Sequence, residues 1–142
     1  MNQERLIKII EDMQECIADI YECLDILETR KNDKLIIKLT KSSLRQLFVS
    51  YHTILEDLSS IILKEIKKYK IGITLHESFS IFKEINLIDE DTFIFLEKSR
   101  LIRNRILHRY KEPTHEELLS HIKLYNNNFE KLLKLAKTYL NQ

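Results

Sequence analysis

The stretch "LIIKLTKSSLRQLFVSYHTILEDLSSIILKEI", residues 35–66, contains neither glycine nor proline and repeats apolar side chains every three or four positions. Because an α-helix has 3.6 residues per turn, this spacing brings the apolar side chains onto one face. The apolar positions are Leu35, Leu39, Leu44, Leu47, Phe48, Tyr51, Ile54, Leu55, Leu58, Ile61, Ile62 and Ile66. The pattern predicts one long amphipathic helix that continues to about Tyr69, where Gly72 supplies a stop.

Similar patterns lie on both sides of this stretch. Residues 3–30 have the three-and-four spacing of a first amphipathic helix, which the sequence "KND" ends. A shorter helical pattern covers roughly 76–86, and the following "LIDEDTF" reads as a helix start with Asp89 as its N-cap. This fourth helix must end before Pro113, because the residue before a proline avoids helical geometry.

The segment "PTHEE", residues 113–117, predicts the start of a fifth helix, with Thr114 and Glu117 spaced as a capping box. Apolar residues continue that helix to Leu135. A single glycine and a single proline in 142 residues leave little provision for the turns of a sheet. The sequence therefore predicts one all-α domain over 1–142, an up-and-down helical bundle of four long helices plus one short helix.

Composition restricts the class of function. A formal net charge of +1 excludes a protein that coats nucleic acid by its net charge. Positive charge is instead local, within 98–111, where no acid falls between Glu97 and Glu112. The N-terminal segment mixes acids with apolar residues, so we expect no signal peptide, no membrane span and a cytoplasmic location. Cys16 and Cys23 are seven residues apart on one helix, too far for a disulfide, and are expected to be reduced packing residues.

The basic segment contains "RNRILHRY", residues 103–110, which combines four kinds of polar group. On a helix Tyr110 returns to the face of Arg103, and Asn104 and His108 share an adjacent stripe. Arg103 and His108 are about 140° apart around the axis, yet their side chains can converge on one ligand. One helix end could thus present a guanidinium, a carboxamide, an imidazole and a phenol to a single site.

These groups suit the cleavage of RNA without a metal. An imidazole titrates near neutrality and can take a proton from the 2′-hydroxyl or give one to the leaving 5′-oxygen. An arginine is permanently charged and binds two phosphate oxygens at once. Each chain offers one such histidine, whereas the reaction needs two proton-transfer groups. We therefore expect a twofold homodimer that brings two copies of the segment together.

Other candidate sites have less support. The sequence "HEELLSH", residues 115–121, resembles a zinc-protease motif, but its histidines are six apart and lie on different helix faces. We expect no metal and no cofactor. His52 and His76 have no partner at a spacing that suggests a site. The aromatic residues on the apolar stripes are expected in the core rather than in a base-stacking platform: Phe48, Tyr51, Phe79 and Phe82.

The segment "RNRILHRY" resembles the Arg-X4-His-X-Tyr motif of the HEPN superfamily, in its HepT-like toxin branch. Arg103, His108 and Tyr110 occupy the three motif positions, and Asn104 matches the residue that commonly follows the arginine in this branch. The motif lies late in the predicted bundle, after a capped helix start and before a proline stop. The resemblance therefore rests on both the motif and its position.

The neighbouring segments are similar to this family as well. "HTILEDLSSII" resembles its second-helix segment, and "ESFSIFKEINLIDEDTFIFLEKSRLIRNRILHRY" resembles its run into the motif, so that roughly residues 40–135 take part. In one place the sequence departs from the family. Thr53 stands where many relatives carry an acidic or amide residue four before the aspartate, which leaves the role of Asp57 open.

The resemblance implies the toxin of a type VII-like toxin–antitoxin system, a metal-independent endoribonuclease that acts as a homodimer with a composite site. It also implies a minimal nucleotidyltransferase antitoxin (MNT type), which neutralises the toxin by transferring AMP to the motif tyrosine, Tyr110. The implied site consists of Arg103 and His108 as catalytic residues and Asn104, Arg105 and Arg109 as residues that bind the RNA substrate.

Two other functions remain open at this stage. The chain could be a non-catalytic HEPN subunit that binds a nucleotide or substrate for its nucleotidyltransferase partner. It could also be a helical interaction protein in which Asn104 and His108 only cap or pack. Of these hypotheses, only the enzyme requires His108 to titrate and RNA to be turned over.

Overall fold

The computed structural model describes residues 1–109 and 111–141. Within this range the chain is all-helical and has no strand, which confirms the predicted all-α bundle. None of the described helices is both long and apolar enough to cross a membrane. The helices are α1 (Gln3–Thr29), α2 (Lys34–Glu65), α3 (Leu75–Glu84), α4 (Glu90–His108), α5 (His115–Leu124) and α6 (Asn127–Lys137).

Side-chain caps fix where several helices begin. Asp89 accepts a hydrogen bond from the backbone N–H of Thr92 at 2.8 Å, which confirms the predicted start of α4. Thr114 accepts from the N–H of Glu117 at 3.1 Å, so this cap too is where the sequence places it. The Glu117 carboxylate pairs with Arg105 of α4. The cap of α5 is therefore joined directly to the end of α4.

Two helices differ from the prediction. The α2 helix ends at Glu65 rather than near Tyr69, because the chain turns into the left-handed conformation at Lys67, with φ at 60°. The fifth helix is divided into α5 and α6 at Tyr125 and Asn126. Asn128 explains the break. Its side chain is fully buried, donates to the carbonyl of Tyr125 at 3.1 Å and accepts from the hydroxyl of Thr92 at 2.7 Å. An asparagine that bonds nearby backbone competes with the helix ladder, and here the bond to α4 favours the break.

The core lies between α1, α2, α4 and α6, with α1 packed mainly along α2. The aromatic residues expected inside, Phe48, Tyr51, Phe79 and Phe82, are all buried, as are the two free cysteines. His121 of α5 also belongs to the core. It stacks on Phe95 of α4, with ring centroids 5.5 Å apart, and hydrogen-bonds Ser99 at 2.6 Å. These contacts pack one face of α4 against the core. Leu101 and Leu107, on other sides of the helix, are exposed to solvent.

Candidate functional site

A cleft of about 450 Å³ opens between α2, α3 and α4 and contains two of the motif residues. We call it the arginine cleft. Its polar lining residues are Glu56, Ser59 and Ser60 from α2, His76 and Ser78 from α3 with the cap Thr74, and Arg100, Arg103 and Asn104 from α4. The motif guanidinium and carboxamide therefore face the same concave surface.

Arg103 is held inside this cleft rather than extended into solvent. Its Nη1 donates to Oε1 of Glu56 at 2.6 Å, and only 14% of its side chain is exposed. Its Nε is buried and has no hydrogen-bond partner in the described part of the chain. The position of Arg103 off the apolar stripe predicts a more exposed side chain than this. The salt bridge to Glu56 accounts for the difference, because it holds the guanidinium against α2 instead of letting it extend into solvent.

Beside Arg103 lies a chain of three polar side chains, His76, Glu97 and Arg100, that the sequence did not reveal. The Nδ1 of His76 is 2.9 Å from Oε1 of Glu97, and Oε2 of Glu97 accepts from Arg100 at 2.9 Å. Burial acts to raise the pKa of Glu97, but the hydrogen bonds from Arg100 and His76 hold it below its usual value. The spacing in the sequence indicates no partner for His76, yet its imidazole faces the same cleft as Arg103.

The remaining motif residues lie elsewhere on α4. His108 is the last residue of the helix and is exposed, and Arg109 follows it in the left-handed conformation, with φ at 51°. Arg105 turns toward α5, where its guanidinium pairs with both carboxylate oxygens of Glu117 and its Nε donates to the carbonyl of Lys111 at 2.6 Å. Tyr110, the residue expected to be modified, lies outside the described residues.

The solvent face of α4 carries both polar motif groups and apolar side chains. Leu101 and Leu107 are 53% and 51% exposed, while Ile102 on the opposite side is buried. Leu101 and His108 are seven residues apart and so share one stripe, with Asn104 between them. Exposed leucines on both sides of a polar motif are what an interface between two copies of this helix would cover.

A buried histidine lies in the core next to this region. His52 of α2 is fully buried, and neither of its ring nitrogens has a hydrogen-bond partner within the described residues. Burial lowers its pKa to about 3, and the positive charge of Arg103 adds to the shift. His52 is therefore neutral at physiological pH, and it is enclosed in the core rather than exposed to solvent.

The acid that α2 contributes to the cleft is Glu56 and not Asp57. Asp57 is exposed and pairs with Arg5 of α1 at 3.5 Å, so it faces another side of the helix. A weak sequence signal for Glu56 exists, since Glu56, Ser59 and Ser60 form a polar stripe at helical spacing within an otherwise apolar segment. The pairing with Arg103 is between residues 47 positions apart and depends on the tertiary fold.

The residues of "HEELLSH" are also separated by the fold. His121 is buried against Phe95 and Ser99, whereas His115 lies at the start of α5 near Lys41. Among the described residues no group of three metal-ligating side chains comes together. The arrangement as a whole offers fixed cations, a carboxamide and imidazoles, which are groups that bind and protonate phosphate esters. Comparison of the chain with protein-family models, curated proteins and solved structures finds no match.

Proposed function

We propose that this chain is a toxin of the HepT-like kind, a metal-independent endoribonuclease that acts as a homodimer. The observation that carries the proposal is the position of the motif on α4. Arg103 and Asn104 line one cleft, and an exposed His108 lies one helical turn beyond Asn104 on the same face. A fixed guanidinium and a titratable imidazole are the two functions that a metal-free cleavage of RNA requires.

The reaction would proceed as follows. One imidazole takes the proton of the RNA 2′-hydroxyl, whose oxygen then attacks the adjacent phosphorus. A second imidazole gives a proton to the 5′-oxygen as its bond to phosphorus breaks, which leaves a 2′,3′-cyclic phosphate and a free 5′-hydroxyl. Arg103 binds the non-bridging oxygens, where negative charge grows in the transition state.

We assign the two proton transfers to His108 of one protomer and its copy in the second protomer. The assignment is supported by the exposed Leu101, because a twofold axis that runs along the stripe of Leu101 and His108 would bring the two His108 side chains together. His76 is the other imidazole near a phosphate bound by Arg103, and a variant at this position separates the two assignments.

The partner in this proposal is a minimal nucleotidyltransferase that adenylylates Tyr110. Tyr110 follows Arg109 directly and so belongs to the end of the motif segment. An AMP group adds about one negative charge and considerable bulk, and both oppose the binding of RNA phosphate. Modification at this position would therefore silence the enzyme without any change to the bundle.

Expression of the chain in cells tests the proposal as a whole. We expect wild type to arrest growth and fragment cellular RNA, and His108→Ala to do neither at the same protein level. Co-expression of the nucleotidyltransferase should restore growth. If His108→Ala is as toxic as wild type, the chain is better described as a non-catalytic binding subunit that acts by sequestering its target.

A further inference from the structure

A second concave surface lies between the N-terminal part of α2 and the start of α5, and we call it the basic groove. Its volume is about 590 Å³. None of the described residues that line it is acidic, and the positively charged ones are Lys31, Lys34, Lys38, Lys41 and Arg45. The basic groove thus concentrates positive charge in a chain whose formal net charge is only +1.

The cations form a row rather than a cluster. Lys34, Lys38, Lys41 and Arg45 are spaced by four, three and four residues and therefore follow one stripe of α2. Neighbouring Cβ atoms in such a stripe are about 5–6 Å apart, and the row covers about 16 Å of helix. A single anion needs two or three of these groups at one point, whereas a row suits a ligand with repeated negative charges.

The pKa of His115 is lowered in part by the same concentration of positive charge. His115 is the first residue of α5 and lines the basic groove. Its pKa is lowered first by burial and then by the positive charges of Lys41 and Arg45, and the nearby Glu116 only partly opposes them. The groove therefore disfavours a further cation, as expected of a surface that attracts anions.

The basic groove is joined to the end of the motif helix. Arg45 pairs with Glu112 at 3.1 Å and donates to the carbonyl of Pro113 at 3.2 Å, within the segment that follows α4. A strand of RNA that leaves His108 along this segment meets the groove next. A membrane surface fits less well, because it is flat and the exposed leucines of this part of α2, Leu35 and Leu39, do not line the groove.

We propose that the basic groove binds the phosphodiester backbone of the RNA substrate, with Lys34, Lys38 and Lys41 on successive phosphates. The inference rests on the proposed function, since it gives the path of the RNA beyond the cleavage site. Contacts to phosphate position a strand but carry no sequence information. The basic groove therefore contributes to the affinity for RNA and makes that affinity depend on salt concentration. Other residues determine which site in the RNA is cleaved.

The test is the binding of a fluorescent, single-stranded 2′-O-methyl RNA, which cannot be cleaved, measured by anisotropy between 50 and 200 mM salt. The variant is Lys34→Glu/Lys38→Glu. Both residues are exposed, and an acid at position 34, in the first turn of α2, is favourable to the helix dipole, so the fold should persist. Lys134→Glu/Lys137→Glu on α6 makes the same change of charge outside the groove. Melting temperatures confirm that each variant is folded.

We expect the groove variant to lose roughly tenfold or more in affinity and to reduce the slope of log K against log salt by about 1.4, which is about 0.7 for each of two phosphate contacts to a single strand. The control should stay within about twofold of wild type. Equal loss in both variants, absence of RNA binding by wild type, or binding only to vesicles of anionic lipid would overturn the inference. Wild type that binds through the groove but cleaves no RNA would contradict the proposed function alone. Cleavage and binding unaffected by the groove variant would contradict the groove alone.

Discussion

Arg103 on α4 donates a hydrogen bond through Nη1 to Oε1 of Glu56 on α2, at 2.6 Å. The bond fixes the guanidinium at the arginine cleft, next to Asn104, His76 and Arg100. A positioned arginine stabilises developing charge without the cost of reorganisation during the reaction. Glu56 is thus a positioning residue for the proposed RNA cleavage, since it acts through Arg103.

Variants of Glu56 separate its hydrogen bond from its charge. Glu56→Gln keeps an acceptor for Arg103 and removes one negative charge beside the cleft, so we expect tighter RNA binding and a single-turnover rate close to wild type. Glu56→Ala leaves Arg103 without this acceptor, and the rate should fall roughly tenfold or more, as expected for a misplaced charge. If the two variants have the same rate, positioning by Glu56 is not part of the mechanism.

The dimer prediction concerns the exposed face of α4. Leu101→Glu places a charge at the proposed twofold contact, and we expect it to convert a dimer at micromolar concentration into a folded monomer with no RNase activity. Leu124→Glu is the matched control, because Leu124 is also exposed and lies at the end of α5. Light scattering after size exclusion gives the masses. A monomeric wild type, or a Leu101→Glu dimer, would contradict the composite site.

A pH dependence of stability follows from the two buried histidines. Burial lowers the pKa of His52 to about 3 and that of His121 to about 4, both from an ordinary value of 6.5. Between those values and 6.5 the unfolded chain binds more protons than the folded chain. The free energy of unfolding is therefore not reduced by these histidines above pH 6.5. Below pH 6.5 it decreases as the pH falls, by up to about 1.4 kcal/mol per pH unit for each histidine.

His52→Leu tests this dependence. The change removes a buried ring whose nitrogens have no partner in the described residues, so we expect higher stability at pH 5 and a shallower fall between pH 6 and pH 4. Urea denaturation at several pH values measures the free energy of unfolding. His108→Ala, at an exposed position, is the control and should retain the wild-type slope. A wild-type slope in His52→Leu would show that His52 is protonated in the folded state as readily as in the unfolded one.

The regulatory prediction concerns Tyr110. Co-expression with the nucleotidyltransferase should add one or more AMP units to this residue, with loss of RNase activity and no change in dimer mass or melting temperature. Tyr110→Phe should escape modification, and if it still cleaves RNA it should be toxic in the presence of the partner. Tyr69→Phe is a control at an exposed tyrosine outside the motif. AMP on another residue, or silencing of Tyr110→Phe, would favour occlusion by the partner instead.

Much of the fold could be predicted from the sequence, because its local signals agree with the tertiary structure. The caps Asp89 and Thr114 are where their side chains can accept a backbone N–H, and the apolar stripes form the core. The division between α5 and α6 could not be predicted. It depends on the bond from Thr92 to Asn128, two residues on different helices.

In the candidate site too, some residues could be identified from the local sequence, whereas others depend on the tertiary structure. The motif residues are close in sequence, so Arg103, Asn104 and His108 could be proposed as a site from their spacing together with the family motif that they resemble. The contacts of Glu56 with Arg103 and of His76 with Glu97 could not, because each joins residues of two different helices. The partners of Arg105 likewise come from α5 and from the segment before it, and they direct this side chain away from the cleft.

The most direct measurement is the cleavage of a defined RNA by purified protein in the presence of EDTA. We predict that wild type releases fragments ending in 2′,3′-cyclic phosphate, at a rate that added magnesium leaves nearly unchanged. His108→Ala and Arg103→Ala should each lose at least about a hundredfold in rate, in the range usual for removal of a general acid–base group or of a charge-stabilising donor. His76→Ala should lose less than about tenfold if the two proton transfers belong to the two copies of His108. No cleavage by wild type, cleavage only with magnesium, or equal cleavage by His108→Ala would contradict the account.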